Sequence, residues 1–279
     1  PAAAGAGHGG RGGGGRRLAR TSRPAGREAP APGRGERIAK LLARAGVGSR
    51  RDIERMTAEG RVAVDGTVLD TPAVLLKSLA QVTVDGRPVG EAEASRLFLF
   101  HKPAGVLTAA RDPSGRPTIY DILPAGLPRL MPVGRLDLNT EGLLLLTNDG
   151  ELKRALELPA SGVPRTYRVR AMGQVRQPDL ERLATGITVE GMHYGPIDAS
   201  IDRRATTGGA NIWLTMTLAE GRNREVRRVC EALGLKVSRL IRIRYGPCLL
   251  GDLPVRGIVE ASPAVIGELR GLARRARPA

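Results

Sequence analysis

A single carboxylate followed by four leucines is the feature of this sequence best suited to chemistry. Asp137 lies in a polar loop, Leu143 to Leu146 follow it, and Asn148-Asp149-Gly150 provides a turn signal. An apolar run bounded by turns predicts a strand that is buried on both faces. The loop would then present a carboxylate from rigid structure, which is how a protein holds a reactive group still. The alternative is an ordinary loop in which Asp137 forms a turn.

The net charge of the chain favours a polyanionic partner. Lys and Arg number 44 against 28 Asp and Glu, which gives a formal net charge of +16 and a pI near 11.1. Nucleic acid is the first candidate for such a charge. Aromatic residues make up only 3%, which argues against a platform that stacks many bases.

Cysteine use and hydropathy indicate a cytoplasmic protein. The two cysteines, Cys230 and Cys248, show no zinc spacing and indicate no disulfide framework, which fits a reducing compartment. No apolar run approaches the roughly 20 residues that span a bilayer. No apolar segment follows the basic N-terminus to make a signal peptide. We therefore expect neither a metal site nor a membrane partner.

The first third of the chain divides into a tail and a small α/β unit. Residues 1–35 are rich in Gly, Ala, Pro and Arg, which predicts a disordered basic tail. Apolar residues from Ile38 to Ala45 fall at helical spacing. Ser49 can N-cap a second helix from Arg50 to about Glu59. The Asp65-Gly66 turn within residues 61–69 predicts a hairpin, and the unit is expected to end at residue 85.

The rest of the chain is a larger domain between polar segments. Residues 86–96 are rich in Glu and Gly and predict a linker. Residues 97–262 alternate strand and helix patterns and contain Asp137. Residues 263–279 predict a basic C-terminal tail with a helical pattern at its start.

Four segments of the larger domain follow the motif order of a known family. They are His-Lys-Pro-Ala-Gly-Val at 101–106, the loop and leucine strand at 134–150, Glu-Gly-Arg-Asn-Arg-Glu-Val-Arg-Arg at 220–228, and a closing block at 237–253. These segments resemble the pseudouridine synthases similar to the small-subunit ribosomal enzyme and to enzymes B, E and F of the large ribosomal subunit. The resemblance implies an α+β fold, in which a small α/β domain precedes a catalytic domain built on a mostly antiparallel mixed β-sheet with flanking helices.

The resemblance also implies the roles of individual residues. Asp137 would be the nucleophile, Tyr167 would stack on the target base, and Arg227 would pair with Asp137. A buried carboxylate tends to protonate, and an adjacent guanidinium opposes that tendency without losing its own proton. The expected substrate pocket adds Arg135, Thr140 and Leu240.

Departures from the family pattern are few. Arg165 stands where the family has Lys. Glu225 stands where the family has Gln, and the added negative charge puts a direct RNA contact by Glu225 in doubt.

The small α/β unit resembles the S4 RNA-binding domain. Arg-Ala-Gly-Val-Gly-Ser-Arg-Arg at 44–51 is its most recognisable segment. The resemblance implies contacts to structured RNA, and the expected contact residues are Arg44, Ser49, Arg50, Arg51 and Arg55. In the larger domain we expect further RNA contacts from Lys102, Arg165, Arg222 and Arg224. The alternative is that the basic helix face is merely solvated.

Together these features predict an enzyme that isomerises one uridine of ribosomal RNA to pseudouridine after flipping it from the stack. Among the family's enzymes, the segment at 36–51 most resembles enzyme B, which acts on the large ribosomal subunit and so favours 23S rRNA. A 16S rRNA enzyme and a non-catalytic ribosome-assembly factor are the alternatives. An aminoacyl-tRNA synthetase with an appended S4 domain is disfavoured because no nucleotide-binding motif occurs. We expect no cofactor, a pre-ribosomal particle as the partner, and a monomer.

Overall fold

The computed structural model describes residues 35–91, 93–202 and 211–275. The predicted basic tail, apart from Gly35, and the last residues of the predicted C-terminal tail lie outside these ranges. From Glu36 onwards the chain forms one compact unit.

The N-terminal part combines two helices with short antiparallel strands. Its elements are β1 (Glu36–Arg37), α1 (Ile38–Arg44), α2 (Arg50–Ala58), β2 (Val62–Val64), β3 (Thr67–Val68), β4 (Leu75–Leu76), β5 (Val82–Val84) and β6 (Arg87–Pro88). Four of the strands form a sheet in the order β3-β2-β5-β6, and β1 pairs with β4. The predicted helices and the predicted hairpin are therefore confirmed.

Local sequence explains these elements. The Ser49 hydroxyl accepts a hydrogen bond from the backbone N–H of Asp52, and the Asp52 carboxylate accepts one from the N–H of Ser49, which is a capping box at the start of α2. Ile38, Leu42 and Ile53 are fully buried between the helices and the sheet.

One predicted boundary is wrong. Asp85 and Gly86 both have positive φ, so they form a tight turn that returns the chain as β6. Residues 87–88 thus belong to the small sheet and not to the predicted linker.

The C-terminal part is built on a large sheet with flanking helices. Its elements are β7 (Leu97–Lys102), β8 (Met131–Pro132), β9 (Thr140–Thr147), α3 (Gly150–Glu157), β10 (Arg165–Met172), α4 (Gln177–Glu181), β11 (Ile187–Val189), β12 (Met192–Tyr194), β13 (Ile197–Ile201), β14 (Asn211–Leu218), α5 (Glu225–Ala232), β15 (Lys236–Tyr245), β16 (Cys248–Leu249), β17 (Ile258–Glu260) and α6 (Pro263–Arg275).

The strand order of the large sheet is β13-β14-β10-β15-β9-β7-β17, with β8 beside β9 and β16 beside β15. Within the described chain, all of its strand pairs are antiparallel except β9 with β15, which run parallel. The four leucines of β9 are fully buried. Leu144 and Leu146 join one hydrophobic cluster, and Leu143 and Leu145 join the other. The prediction of a strand buried on both faces is confirmed.

The predicted C-terminal tail is corrected over residues 263–275. They form α6, and its buried residues Ile266, Leu269 and Ala273 pack into the same cluster as Leu143 and Leu145. These apolar residues fall at helical spacing, which the arginine-rich composition obscures. The helix is therefore part of the domain core.

Ion pairs and hydrogen bonds join the two parts of the chain. The Lys40 ammonium on α1 lies 2.5 Å from a Glu151 carboxylate oxygen on α3. The Asn148 side chain accepts from the N–H of Arg96 at 2.8 Å and donates to the carbonyl of Ala94 at 2.9 Å. The connecting segment is thus fixed against the turn that follows β9.

Gly142 is the position where the sheet tolerates no side chain. Its φ is +101°, and a Cβ there would lie 2.2 Å from the carbonyl oxygen of Arg242. Gly142→Ala should destabilise the fold by about 3 kcal/mol or more, because strain and overpacking add. Gly251→Ala is the matched control, since Gly251 also has positive φ but has nothing within 4 Å of the added atom. Equal losses in chemical denaturation of the two variants would contradict the steric explanation.

Candidate active site

A cavity of about 640 Å³ lies beside the sheet where β10, β15 and β9 adjoin. Asp137 and Thr140 line it from the loop before β9 and the start of that strand, Tyr167 from β10 and Leu240 from β15. The strand register explains this convergence, because Leu240 is the Cα partner of both Thr140 and Val169. Residues from four separate segments, including the loop before α5, thus meet in one space.

Lys102 anchors the loop that carries Asp137. Its side chain is fully buried, and the three N–H donors of its ammonium lie among four backbone carbonyls, those of Pro103 (2.9 Å), Asp137 (3.2 Å), Leu138 (3.4 Å) and Thr140 (2.9 Å). Burial lowers the pKa of Lys102 to about 8, and the charges of Asp137 and Glu141 oppose that shift. The prediction that Lys102 contacts RNA is wrong, because its donors are spent inside the protein.

Further backbone contacts fix the rest of this loop. The Thr108 hydroxyl donates to the Leu136 carbonyl at 2.9 Å and accepts from the N–H of Leu136 at 3.3 Å. The N–H of Gly105 donates to the Leu138 carbonyl at 2.8 Å. The N–H of Gly134 donates to the Glu157 carboxylate at 2.7 Å. The Asp137 side chain remains partly exposed on this rigid support.

The cation that pairs with Asp137 is Arg224, not Arg227 as predicted. The Arg224 guanidinium lies 3.6 Å from the Asp137 carboxylate. Arg224 has φ of +52° and immediately precedes α5, so this turn determines where its side chain goes. Arg227 lies one turn into α5, is 9% exposed, and donates to the Asn139 carbonyl at 3.1 Å. Arg227 therefore braces the loop backbone.

The charge of Arg227 still acts on the site. Burial and the neighbouring charge of Arg224 lower the pKa of Arg227, and Asp137 opposes the change. Its Nε atom is buried and has no hydrogen-bond partner among the described residues. Two guanidinium groups thus share the surroundings of one carboxylate.

The other predicted pocket residues lie together in the cavity. Tyr167 is 8% exposed and Leu240 is 5% exposed, and both line the wall beside Asp137. Arg135 is exposed at the cavity. Thr140 is buried, and its hydroxyl has no partner in the described part of the chain.

Arg165 does not serve the RNA contact that was predicted for it. It is 7% exposed and donates to the Ala219 carbonyl at 2.6 Å and to the Tyr245 hydroxyl at 3.1 Å. Its guanidinium also lies over the Tyr245 ring, 4.9 Å from the centroid. Arg222, by contrast, is exposed at the cavity and pairs with Glu220 at 2.8 Å.

Sequence reasoning missed two buried groups in the cavity wall. Arg242 is 2% exposed and donates through Nε to the Leu143 carbonyl at 2.7 Å. Tyr245 is fully buried and donates to the Leu156 carbonyl at 2.9 Å. The available signal for Arg242 is its position between two isoleucines of β15. Glu225 is also buried, which raises its pKa, and it accepts from the N–H of Arg222 at 2.7 Å.

The residues predicted to bind RNA in the N-terminal part have different fates. Arg50, Arg51 and Arg55 are exposed on α2. Arg55 also lies near Asp52 and Glu59, with nitrogen–oxygen distances of 3.6 and 3.9 Å. Ser49 and Arg44 have partners within the protein: the Ser49 hydroxyl is used in the capping box, and Arg44 pairs with Glu36 and donates to the Glu93 carbonyl. Their RNA contacts stay predictions.

Cysteines and acidic clusters offer no further chemistry here. Cys230 and Cys248 are free and buried, and burial raises their pKa values to about 12 and about 11. Within the described ranges, no three His, Cys, Asp or Glu side chains are placed to hold a metal ion. No helix in those ranges is long and apolar enough to cross a bilayer.

Comparison with known proteins identifies the family. Residues 96–232 match the RNA pseudouridylate synthase family, and residues 36–78 match the S4 domain. A ribosomal large subunit pseudouridine synthase B from Salmonella typhimurium is 44% identical over 245 residues, which cover 85% of this chain and 83% of that protein. This chain belongs to the RNA pseudouridylate synthase family.

Other relatives agree with this assignment. An uncharacterized RNA pseudouridine synthase from Rickettsia bellii is 43% identical over 218 residues, which cover 78% of the synthase and 93% of the relative. A crystal structure of a pseudouridylate synthase superimposes with a TM-score of 0.58 and 25% identity, covering 84% of the synthase and 99% of that chain. The predicted α+β fold and the predicted isomerase class are confirmed.

We expect Lys102→Met to slow catalysis without weakening RNA binding. The loop that carries Asp137 loses its anchor, and a misplacement of about 1 Å costs roughly 100-fold in kcat. The RNA dissociation constant should stay unchanged because Lys102 is fully buried. Single-turnover kinetics and filter binding separate the two quantities.

Lys236→Met is the control for this prediction, since Lys236 is exposed at the start of β15. A variant Lys102→Met that kept its rate but lost RNA affinity would restore the sequence-based assignment of Lys102 as an RNA contact.

Proposed function

We propose that this synthase converts one uridine of 23S ribosomal RNA to pseudouridine, with Asp137 as the nucleophile. The observation that carries the proposal is the rigidly mounted Asp137 carboxylate in a cavity that also holds Tyr167 and Leu240. The choice of large-subunit RNA is supported by the 44% identical relatives that are named ribosomal large subunit pseudouridine synthase B.

The target uridine enters the cavity by leaving its helical stack. A base inside a duplex cannot be reached by a side chain, so enzymes that act on bases extrude them into a pocket. A cavity of about 640 Å³ is of the size that takes small ligands. The Tyr167 ring stacks on the flipped base, and the Leu240 side chain supplies apolar contact.

Asp137 then acts as a covalent catalyst. Its carboxylate attacks the substrate nucleotide, the N-glycosidic bond breaks, and the uracil turns within the cavity. A carbon–carbon glycosidic bond forms, the proton on that ring carbon leaves, and the freed ring nitrogen takes up a proton. The carboxylate is released, and the product has the same atoms as the substrate.

Positive charge around Asp137 supports this role. The Arg224 guanidinium lies 3.6 Å from the carboxylate, and Arg227 braces the adjoining backbone. A positive charge at such a distance attracts the attacking carboxylate and helps to hold it in the cavity. Because Arg224 is half-exposed, an incoming phosphate could also engage its guanidinium.

The S4 unit holds the RNA through phosphate contacts. Arg50, Arg51 and Arg55 are exposed on α2, next to a helix N-terminus that favours anions. The pre-ribosomal particle as partner, the monomeric state and the cytoplasmic location remain predictions from the sequence.

Mapping of pseudouridine in ribosomal RNA tests the reaction and its target. Cells that lack the gene should lose one pseudouridine in 23S rRNA, and expression of the unaltered gene should restore it. Asp137→Asn keeps the shape of the side chain but removes the charged nucleophile, so it should not restore the modification.

The outcomes of this mapping separate the alternatives. Loss of a 16S pseudouridine would move the target to the small subunit. A map that is identical with and without the gene would favour a non-catalytic assembly factor. Restoration by Asp137→Asn would leave the enzyme intact but remove Asp137 as the nucleophile.

Charge reversal on α2 tests the RNA grip. Arg50→Glu together with Arg51→Glu should weaken RNA binding and reduce the slope of log K against log salt by about 1.5 to 2, since two phosphate contacts are lost. Arg182→Glu is the control, because Arg182 is 80% exposed but does not line the active-site cavity. An unchanged salt slope in the double variant would exclude α2 from the interface.

A further inference from the structure

A second cavity of about 500 Å³ adjoins the active site. Its walls are formed by the segment 123–130 together with Ala110 and Tyr120. Ala110 and Tyr120 also line the active-site cavity, so the two spaces share a border. The two cavities therefore lie next to each other. We call this second space the side cavity.

Tyr120 stands at that border as a fixed aromatic ring. Its residue is 37% exposed, and its hydroxyl donates to the Leu130 carbonyl at 2.9 Å. The single helical turn that carries it is capped by Thr118 and Asp121, and the adjacent Ile119 is fully buried. The ring is thus held in place while part of its surface stays open to the solvent.

The rest of the side cavity combines apolar side chains with one cation. Pro124, Leu127 and Pro128 contribute apolar surface, and the two proline rings restrict the backbone of the segment. Arg129 is exposed among them. Apolar side chains beside a single guanidinium suit a nucleotide, whose base is flat and whose phosphate is anionic.

Arg129 also links the side cavity to the S4 unit. Its positive charge helps to lower the pKa of Asp52 at the start of α2, where the main cause is the hydrogen bond from Ser49. It also opposes the rise in the pKa of Tyr120, which burial causes. The charge of Arg129 therefore acts both on Tyr120 at the border and on Asp52 of the helix that carries Arg50 and Arg51.

We propose that the side cavity binds a nucleotide next to the target uridine in the same RNA strand. Its base stacks on Tyr120 and its phosphate contacts Arg129. The proposal rests on the proposed function, since it requires a uridine in the active-site cavity. When one base leaves a stack, its neighbour loses a stacking partner, and the Tyr120 ring replaces that partner. Stacking on an aromatic side chain tolerates any base, so this subsite grips the strand without reading its sequence.

The test uses an rRNA fragment that contains the mapped uridine and abasic substitutions at each flanking nucleotide in turn. With the unaltered synthase, one of these positions should raise KM about tenfold, which is the loss expected for one stacked base. The other positions should change KM little, and kcat should stay within about twofold because the base does not touch Asp137.

Variants of Tyr120 assign that effect to the ring. Tyr120→Phe keeps the ring, which the capped turn and the buried Ile119 still hold, so KM on intact RNA should rise much less than in Tyr120→Leu. Tyr120→Leu should raise KM on intact RNA about tenfold and should show no further loss on the abasic fragment, because the two changes remove the same contact. Arg129→Gln should reduce the slope of log K against log salt by the amount expected for the loss of one phosphate contact, about 0.7 to 0.9.

Two results would overturn the subsite. One is an abasic scan with no sensitive position in the unaltered synthase, a result that needs no variant to fold. The other is a Tyr120→Leu loss that is equal on intact and abasic RNA. Failure of the proposed function looks different, since the unaltered synthase would then form no pseudouridine in the intact fragment.

Discussion

The buried ammonium of Lys102 is the interaction on which the active site depends. Its N–H groups donate hydrogen bonds to the backbone carbonyls of Pro103, Asp137, Leu138 and Thr140. They take the place of the water molecules that would otherwise bind these carbonyls. The loop can therefore be tight and irregular and still hold the Asp137 side chain firmly. Lys102 lies on β7 opposite Gly142 of β9, so the anchor is itself tied to the large sheet.

The parallel pairing of β9 with β15 turns this anchored loop into a site. It sets Thr140 beside Leu240, and it requires glycine at residue 142 because the Arg242 backbone passes so close. The neighbouring strand β10 then adds Tyr167 to the same wall. The strands β9, β10 and β15 thus bring Thr140, Tyr167 and Leu240 to a common wall, and the rest of the sheet serves to hold their register.

Much of this arrangement could be predicted from the sequence, and the failures share a cause. The capped helix α2, the Asp65-Gly66 hairpin and the buried leucine strand follow from local patterns. Lys102 and Arg165 were assigned to RNA because a sequence pattern treats a basic residue as solvated. Their burial depends on carbonyls from distant segments, such as that of Ala219, which no local pattern reveals. The pairing of Arg224 with Asp137 depends on the left-handed backbone conformation of Arg224 itself. Glycine usually marks that conformation in a sequence, and this position has none.

Helix α3 contacts both the S4 unit and the loop that carries Asp137. Near its start, Glu151 forms an ion pair with Lys40 of the S4 unit. At its end, the Glu157 carboxylate accepts a hydrogen bond from the N–H of Gly134, in the loop that carries Asp137. Its eight residues form a helix about 12 Å long. This one rigid helix therefore connects the S4 unit to the loop that carries Asp137. Because the Glu151 carboxylate is exposed, dissolved salt should screen and weaken its ion pair with Lys40. Ionic strength would then govern how well a bound strand is presented to the carboxylate, in addition to how tightly it is held.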